Sequence, residues 1–413
     1  MKIVHINCVF GEGSTGKIVE AIHHFATIHG DESYVLYGMG DKYCDPHLIR
    51  IIPKLVRKMQ SLRSRITGYP YGGCIWGTYV ALKTLRRIKP DIVHLHCANA
   101  YMVNIYRLLE YLKKESIPTV ITNHAEFMYT GGCTHSVDCN KWLTGCHDCK
   151  KIGKEHPISY LFDRTKREWQ LMMNAYNGFE NLMVCCVSDW VRERACQSPF
   201  YQGHPVTTVL NGLDTGVFHY TNPIVIRKKL NLGENRVVIH VTPHFNSPIK
   251  GGKHVIEMAK RRPDVQFVIV GDYSDISTAP SNCHFVGRIT DQEKLATYYS
   301  LADVCLLTSL RETFSMVCAE SLCCGTPIVG FKSGAPELIS LPEYSKFVDQ
   351  DDDDALIDAL NECLNNRVDK LCLSAYAVKR YGQERMCKEY YKLYQEVIKN
   401  NEDRHINTLL SKS

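Results

Sequence analysis

Two glutamates in the carboxy-terminal half of this 413-residue chain have the type and spacing to hold, around a helix start, a ligand that is phosphorylated and rich in hydroxyls. Glu312 and Glu320 lie eight residues apart in the stretch LLTSLRETFSMVCAESLCCGTPIV, residues 306–329. The stretch reads as a buried strand, a loop, a helix opening near Thr313 to Ser315, and a Gly-Thr-Pro turn into another strand. Gly325 suits the helix C-terminus and Pro327 prevents its continuation. Eight residues is a little over two helical turns, so both carboxylates can face one side. Around Thr313, Phe314 and Ser315 the helix start offers unpaired N–H groups and a positive dipole end, a seat for phosphate. Carboxylates flanking a phosphate seat can accept hydrogen bonds from hydroxyls, as acidic residues do with ribose. Together these features fit a sugar nucleotide. The plain alternative is a solvated helix face that happens to carry glutamates.

Glu312-x7-Glu320 followed by Gly325-Thr326-Pro327 resembles the retaining GT-B glycosyltransferases of glycosyltransferase family 4, and the resemblance covers nearly the whole chain. It implies an α/β fold of two doubly wound, Rossmann-like parallel-sheet domains facing a cleft. The implied reaction moves a sugar, with retention, from a UDP- or GDP-sugar to a glycan acceptor, a lipid-linked glycan of capsule, O-antigen or exopolysaccharide synthesis. By the same resemblance Glu312 holds the sugar, Glu320 the ribose, and Lys250 with Thr313, Phe314 and Ser315 the leaving diphosphate. His124, delivered by a strand Val120–Asn123, orients sugar hydroxyls, and Gly16 faces the donor phosphates. Arg288 follows an edge, His284–Gly287, that reads the base in relatives. No catalytic metal is expected, because fixed cations and a helix dipole take its place. Two departures stand out. Ala125 and Glu126 follow His124 where relatives carry Asp, and Pro243, His244 and Asn246 occupy the neighbourhood of an Arg found before the lysine. Two other functions stay open: a GT-B epimerase or phosphorylase, and a non-catalytic nucleotide- or glycan-binding module.

The elements that must position these residues follow from length and pattern. At 413 residues two domains are expected; the resemblance implies that 1–208 forms the acceptor side, that 209–385 takes the donor, and that a helix at about 386–400 packs back on the first. Lys2–Asn7 reads as a first strand, Gly11–Gly16 as a glycine loop, and Lys17–His29 as a helix, the opening unit of a doubly wound sheet. The spacing Gly11-x4-Gly16-Lys17 mimics a phosphate-binding P-loop, but Ile18 stands where magnesium coordination needs Ser or Thr. Ile158–Asn177 and Tyr381–Lys399 read as long helices. The acidic run Asp351–Asp354 fits a helix N-terminus. From Glu402 onward disorder is expected.

Charge is uneven. The net charge of +5 divides into +7 over residues 1–200 and −2 over the rest. A basic amino-terminal half suits an anionic surface such as lipid phosphate, and no motif points to nucleic acid. Lys54–Ile66 reads as a basic amphipathic helix, with Leu55, Met59, Leu62 and Ile66 at helical spacing. Its stripe either meets the inner leaflet of a membrane or packs into the domain. No apolar run approaches a membrane span, and a cytoplasmic, peripherally bound protein is expected.

Nineteen cysteines in such a chain argue against a disulfide scaffold. Four of them cluster as Cys133-x5-Cys139-x6-Cys146-x2-Cys149. Three states are open for them: a closed structural zinc site, reduced thiols without metal, or disulfides. His135 and His147 are alternative ligands.

Overall fold

The computed structural model describes residues 1–410, with side chains to Arg404. It divides into two compact units, one of residues Met1–Leu210 together with the chain from Met386 on, the other of Asn211–Arg385.

The first unit is a seven-stranded parallel sheet. Its strands are β1 (Lys2–Asn7), β2 (Glu32–Tyr37), β3 (Leu48–Arg50), β4 (Ile92–Leu95), β5 (Thr119–Asn123), β6 (Leu182–Cys186) and β7 (Val206–Thr208), in the order β3-β2-β1-β4-β5-β6-β7. β4, β5 and β6 are buried along their whole length, as parallel strands covered on both faces must be. The covering helices are α1 (Gly13–Ile28), α2 (Lys54–Thr67), α3 (Ile75–Ile88), α4 (Ile105–Lys114), α5 (Phe127–Thr130), α6 (Thr165–Tyr176) and α7 (Asp189–Ala195).

The second unit is a six-stranded parallel sheet of β8 (Val237–His244), β9 (Gln266–Asp272), β10 (Cys283–Gly287), β11 (Val304–Leu307), β12 (Ile328–Phe331) and β13 (Ser345–Val348), ordered β10-β9-β8-β11-β12-β13. Its helices are α8 (Ile224–Lys229), α9 (Gly252–Arg261), α10 (Gln292–Leu301), α11 (Met316–Cys323), α12 (Pro336–Ile339), α13 (Asp353–Asn365) and α14 (Lys370–Tyr381). One core cluster joins Val238, Phe267, Ile269, Leu306, Val329 and Phe331 of the sheet to Val255, Met258 and Leu360 of the helices. In both sheets strand order reverses beside the first strand, between β1 and β4 and between β8 and β11. Ligands of open α/β sheets bind outside the carboxyl ends of the strands at such a switch point.

The chain closes with α15 (Gln383–Leu410), which starts one residue after α14 ends, at extended Gly382. Met386, Cys387, Tyr390, Leu393, Tyr394 and Val397 of α15 pack with Ile3, Ile18, Ile92 and Val120 in the first unit. Several expected boundaries shift. The helix runs to Leu410, through residues expected to be disordered, and 411–413 lie outside the described residues. α1 opens at Gly13 rather than Lys17, so Gly16 is a buried first-turn residue of the helix and not part of the loop. The helix expected from Ile158 begins only at Thr165, because Asp163 accepts hydrogen bonds from the N–H and hydroxyl of Thr165 and from the N–H of Cys149. That carboxylate fixes a turn where periodicity suggested helix.

Candidate active site

In the second unit the loops leaving β8 and β11 flank the switch point, and they carry Lys250 and Glu312. Lys250 ends a short 3₁₀ turn, Pro248–Lys250, and Gly251 follows with φ 68°. A side chain at 251 would bring its Cβ to 2.2 Å from the Thr308 carbonyl oxygen. The glycine therefore lets the two loops touch. The Thr308 hydroxyl donates to the Lys250 carbonyl at 2.9 Å and the Leu310 N–H to the Ile249 carbonyl at 2.9 Å. Lys250 Nζ then reaches Glu312 Oε1 at 2.7 Å, in a part-buried ion pair. The Glu312 backbone is pinned as well: its N–H donates to Ser333 O at 2.9 Å and its carbonyl accepts from Ala335 N at 3.1 Å.

Three residues on, Ser315 caps α11. Its hydroxyl accepts from the Cys318 N–H at 3.3 Å, so the helix opens at Met316, at the end of the expected Thr313–Ser315 start. Ser315 has φ 72°, ψ 90°, a conformation that non-glycine residues adopt at a cost of about 1–3 kcal/mol. Phe314 is buried and anchors the loop. Cys318 N–H is thus capped, and the N–H groups ahead of it in the first turn have no acceptor within the helix. On the second turn Glu320 Oε2 accepts from the Tyr299 hydroxyl at 2.9 Å. Burial, with the Glu320 carboxylate beside it, pushes the Tyr299 phenol well above its ordinary pKa, so it stays a donor. Arg288, just past β10, is exposed and lies 3.7 Å from Asp272 Oδ2 at the end of β9. The structure thus gathers Lys250 and Glu312 in direct contact, with Thr313, Phe314 and Ser315 next in the chain. It places Arg288 against Asp272.

In the first unit His124 follows β5 directly and is buried, 9% exposed. Its Nε2 shares a hydrogen bond of 3.1 Å with His96 Nδ1. Burial lowers its pKa from 6.5 to about 4, so the ring is neutral at pH 7. Behind it lies a row of imidazoles that sequence reading did not assemble. His5 and His94 are register partners on β1 and β4, and His94 and His96 share one face because strand side chains alternate. His94 bonds the Tyr394 hydroxyl at 2.6 Å and the Thr122 hydroxyl at 2.7 Å. The signal was present in the spacing of Ile92–His96, but only pairing with β1 brings His5 beside it. His5, His94 and His96 each place a ring nitrogen within 4.8 Å of the others.

Glu126 does not serve as a ligand-facing carboxylate. It is fully buried, accepts from Ser136 N at 3.0 Å, and pairs with Arg194 at 3.2 Å. It ties the cysteine-rich segment to the sheet. Gly16 likewise packs under its own loop, where its N-terminal neighbour Gly11 donates to its carbonyl at 3.2 Å. Cys133, Cys139, Cys146 and Cys149 are all free thiols, part-buried, and line one cavity of about 270 Å³. Burial, then the neighbouring thiols, push Cys146 up to about 12.

Comparison with known proteins bears on both units. Residues 62–217 match the family described as "Glycosyltransferase Family 4", and residues 237–366 match "Glycosyl transferases group 1". The chain is similar to a putative colanic acid biosynthesis glycosyl transferase of Escherichia coli, 20% identical over 96% of this chain and 100% of that protein. Among solved structures it superposes on sucrose-phosphate synthase from Thermosynechococcus elongatus with a TM-score of 0.67, at 17% identity, covering 97% of this chain and 100% of that one. It superposes on Anabaena HepE in complex with UDP with a TM-score of 0.64, at 16% identity, over 96% and 100%. The fold is GT-B.

Proposed function

We propose that this chain, a glycosyltransferase by the families its two units match, takes a sugar from a nucleoside-diphosphate sugar and passes it, with retention, to a lipid-linked glycan in surface polysaccharide synthesis. The observation that carries the donor half is the Lys250–Glu312 pair at 2.7 Å, bridging the two switch-point loops just before the start of α11. Lys250 and the first-turn N–H groups of α11 offer positive charge where the leaving diphosphate develops negative charge. Glu312 offers acceptors for sugar hydroxyls. Because the two are already paired, donor binding is an exchange: phosphate takes over the ammonium as hydroxyls take over the carboxylate. Glu320, its rotamer set by Tyr299, is assigned the ribose. His124, neutral and oriented by His96, is assigned to the sugar by resemblance. HepE was solved with UDP, which makes UDP-sugars the first donors to try, with GDP-sugars next.

The acceptor half rests on α2. Leu55, Met59 and Leu62 are 70%, 63% and 58% exposed, so the stripe does not pack into the unit. Tyr160, Leu161 and Phe162, exposed too, adjoin it through a hydrogen bond of 2.7 Å from Tyr160 N to Arg65 O. Residues 46–90 hold ten Lys and Arg and no Asp or Glu. An apolar stripe among unopposed cations fits an anionic leaflet, where a lipid-linked acceptor resides. The colanic acid relative supports the polysaccharide setting.

Thermal shift against a panel of UDP- and GDP-sugars tests the donor half. A true donor at a hundred times its dissociation constant adds about 2.7 kcal/mol. Lys250→Met should abolish most of that shift and slow turnover by about 10²-fold or more, as loss of one charge-stabilising group does. No shift with any sugar nucleotide, or an undiminished shift in the variant, refutes the assignment. Interconversion of the sugar nucleotide without acceptor would instead show an epimerase.

A further inference from the structure

We propose that Cys133, Cys139, Cys146 and Cys149 bind a structural zinc ion that orders the segment beside His124, an inference independent of the donor assignment above. The segment from Gly131 to Arg164 has almost no regular structure. It contains one three-residue 3₁₀ turn, Lys141–Leu143, and an isolated bridge between Ile152 and His156. Loops this long without elements of their own are uncommon in compact domains, and small irregular modules are held by a disulfide or a metal when their cores are too small. All four cysteines are free and all four line the same cavity, so no disulfide does the holding. One further interaction closes the module: Trp169 Nε1 donates to the Trp142 carbonyl at 2.9 Å, over the same cavity wall.

Sulfur chemistry selects the ion. Four thiolates suit zinc, with bonds of about 2.3 Å and hence sulfurs about 3.8 Å apart. Among the described residues only the His5–His94–His96 group has three ligand atoms within 4.8 Å of one another. The sulfurs are therefore spread wider than a closed tetrahedron, and the proposed site requires them to move inward across the cavity of about 270 Å³ that all four line. Such a site leaves no open position for catalysis. Its effect is on the frame: Glu126 N donates to Thr134 O at 2.9 Å and Glu126 accepts from Ser136, so a fixed segment fixes the loop that follows His124.

The full chain, purified in reducing buffer without chelator or added zinc, should carry about one zinc per chain, with X-ray absorption showing sulfur neighbours at about 2.3 Å. Cys149→Ser should drop the content below about a tenth of an equivalent and lower the melting temperature. Should that variant fail to fold, the absorption spectrum of the unaltered protein decides alone. Less than about a tenth of an equivalent in the unaltered protein overturns the proposal. So does a zinc whose neighbours are nitrogen, which would place it at the histidines, or zinc content unchanged in Cys149→Ser, or a disulfide among the four.

Discussion

At Glu320 the protein spends one carboxylate oxygen on its own Tyr299, at 2.9 Å. That bond holds the side chain in a single rotamer before any ligand arrives, which lowers the ordering cost of binding. Replacing Glu320 with Ala removes hydrogen bonds to a charged acceptor, worth about 1.5–3 kcal/mol. Donor affinity should fall by about 10- to 100-fold in titration calorimetry. An unchanged affinity would remove Glu320 from the ribose role. The same reasoning separates Glu126 from the site: a carboxylate with no exposure, an arginine at 3.2 Å and a serine N–H at 3.0 Å has its acceptors committed to the fold.

Among the elements, α2 is the one whose sequence pattern and surroundings diverge most. Its apolar positions follow helical spacing, yet only Ser64 of the helix is buried. Contiguous exposed apolar positions of this kind mark interaction surfaces, and the partner proposed for this one is an anionic leaflet. Sedimentation with vesicles containing anionic phospholipid should pellet the protein, less so as salt is raised, and Leu62→Glu with Met59→Glu should reduce pelleting several-fold without lowering the melting temperature. Equal pelleting of the variant, or pelleting with purely zwitterionic vesicles alone, would count against the leaflet and leave another protein surface as the partner. α11 behaves in the opposite way. It is short, its buried face is Cys318, Ala319, Leu322 and Cys323, and Gly325 ends it at φ 76° where a Cβ would stand 2.5 Å from the Lys370 carbonyl oxygen. Its position, not its own propensity, gives it a role.

For the molecule as a whole, buried histidines couple stability to pH. Burial lowers His5 to about 3 and His124 and His240 to about 4, from 6.5. The first two sit in one unit and the third in the other. In the unfolded chain these rings take up protons below about pH 6.5, whereas the folded protein resists until about pH 4. Their contribution is therefore complete above pH 6.5 and lost as pH falls from 6.5 towards 4. Each neutral ring costs about 1.4 kcal/mol per pH unit in that window. Urea midpoints should drop between pH 7 and pH 5 by more than a single proton accounts for. A flat profile there would mean that the rings are solvated or already charged.

Sequence alone determined the alternation of strands and helices, because a parallel strand covered on both faces must be apolar throughout, as in Leu182–Cys186 and Val304–Leu307. It also determined the pairing of a glycine turn with a helix bearing Glu320 behind Glu312, since those residues are close along the chain. It left unassigned both α3, whose buried face is Gly77, Thr78, Ala81, Thr84, Leu85 and Ile88, and α4, whose buried face is Ile105, Tyr106, Leu108, Leu109 and Leu112. It misplaced the start of α6, because one carboxylate, Asp163, overrode periodicity. Tertiary structure alone decided three things. Strand order brought Lys250 to Glu312 across 62 positions. Register set His5 beside His94. Folding turned the stripe of α2 outward, where the sequence allowed either direction. Periodicity fixes which residues share a face, but what that face meets depends on contacts between residues far apart in the chain.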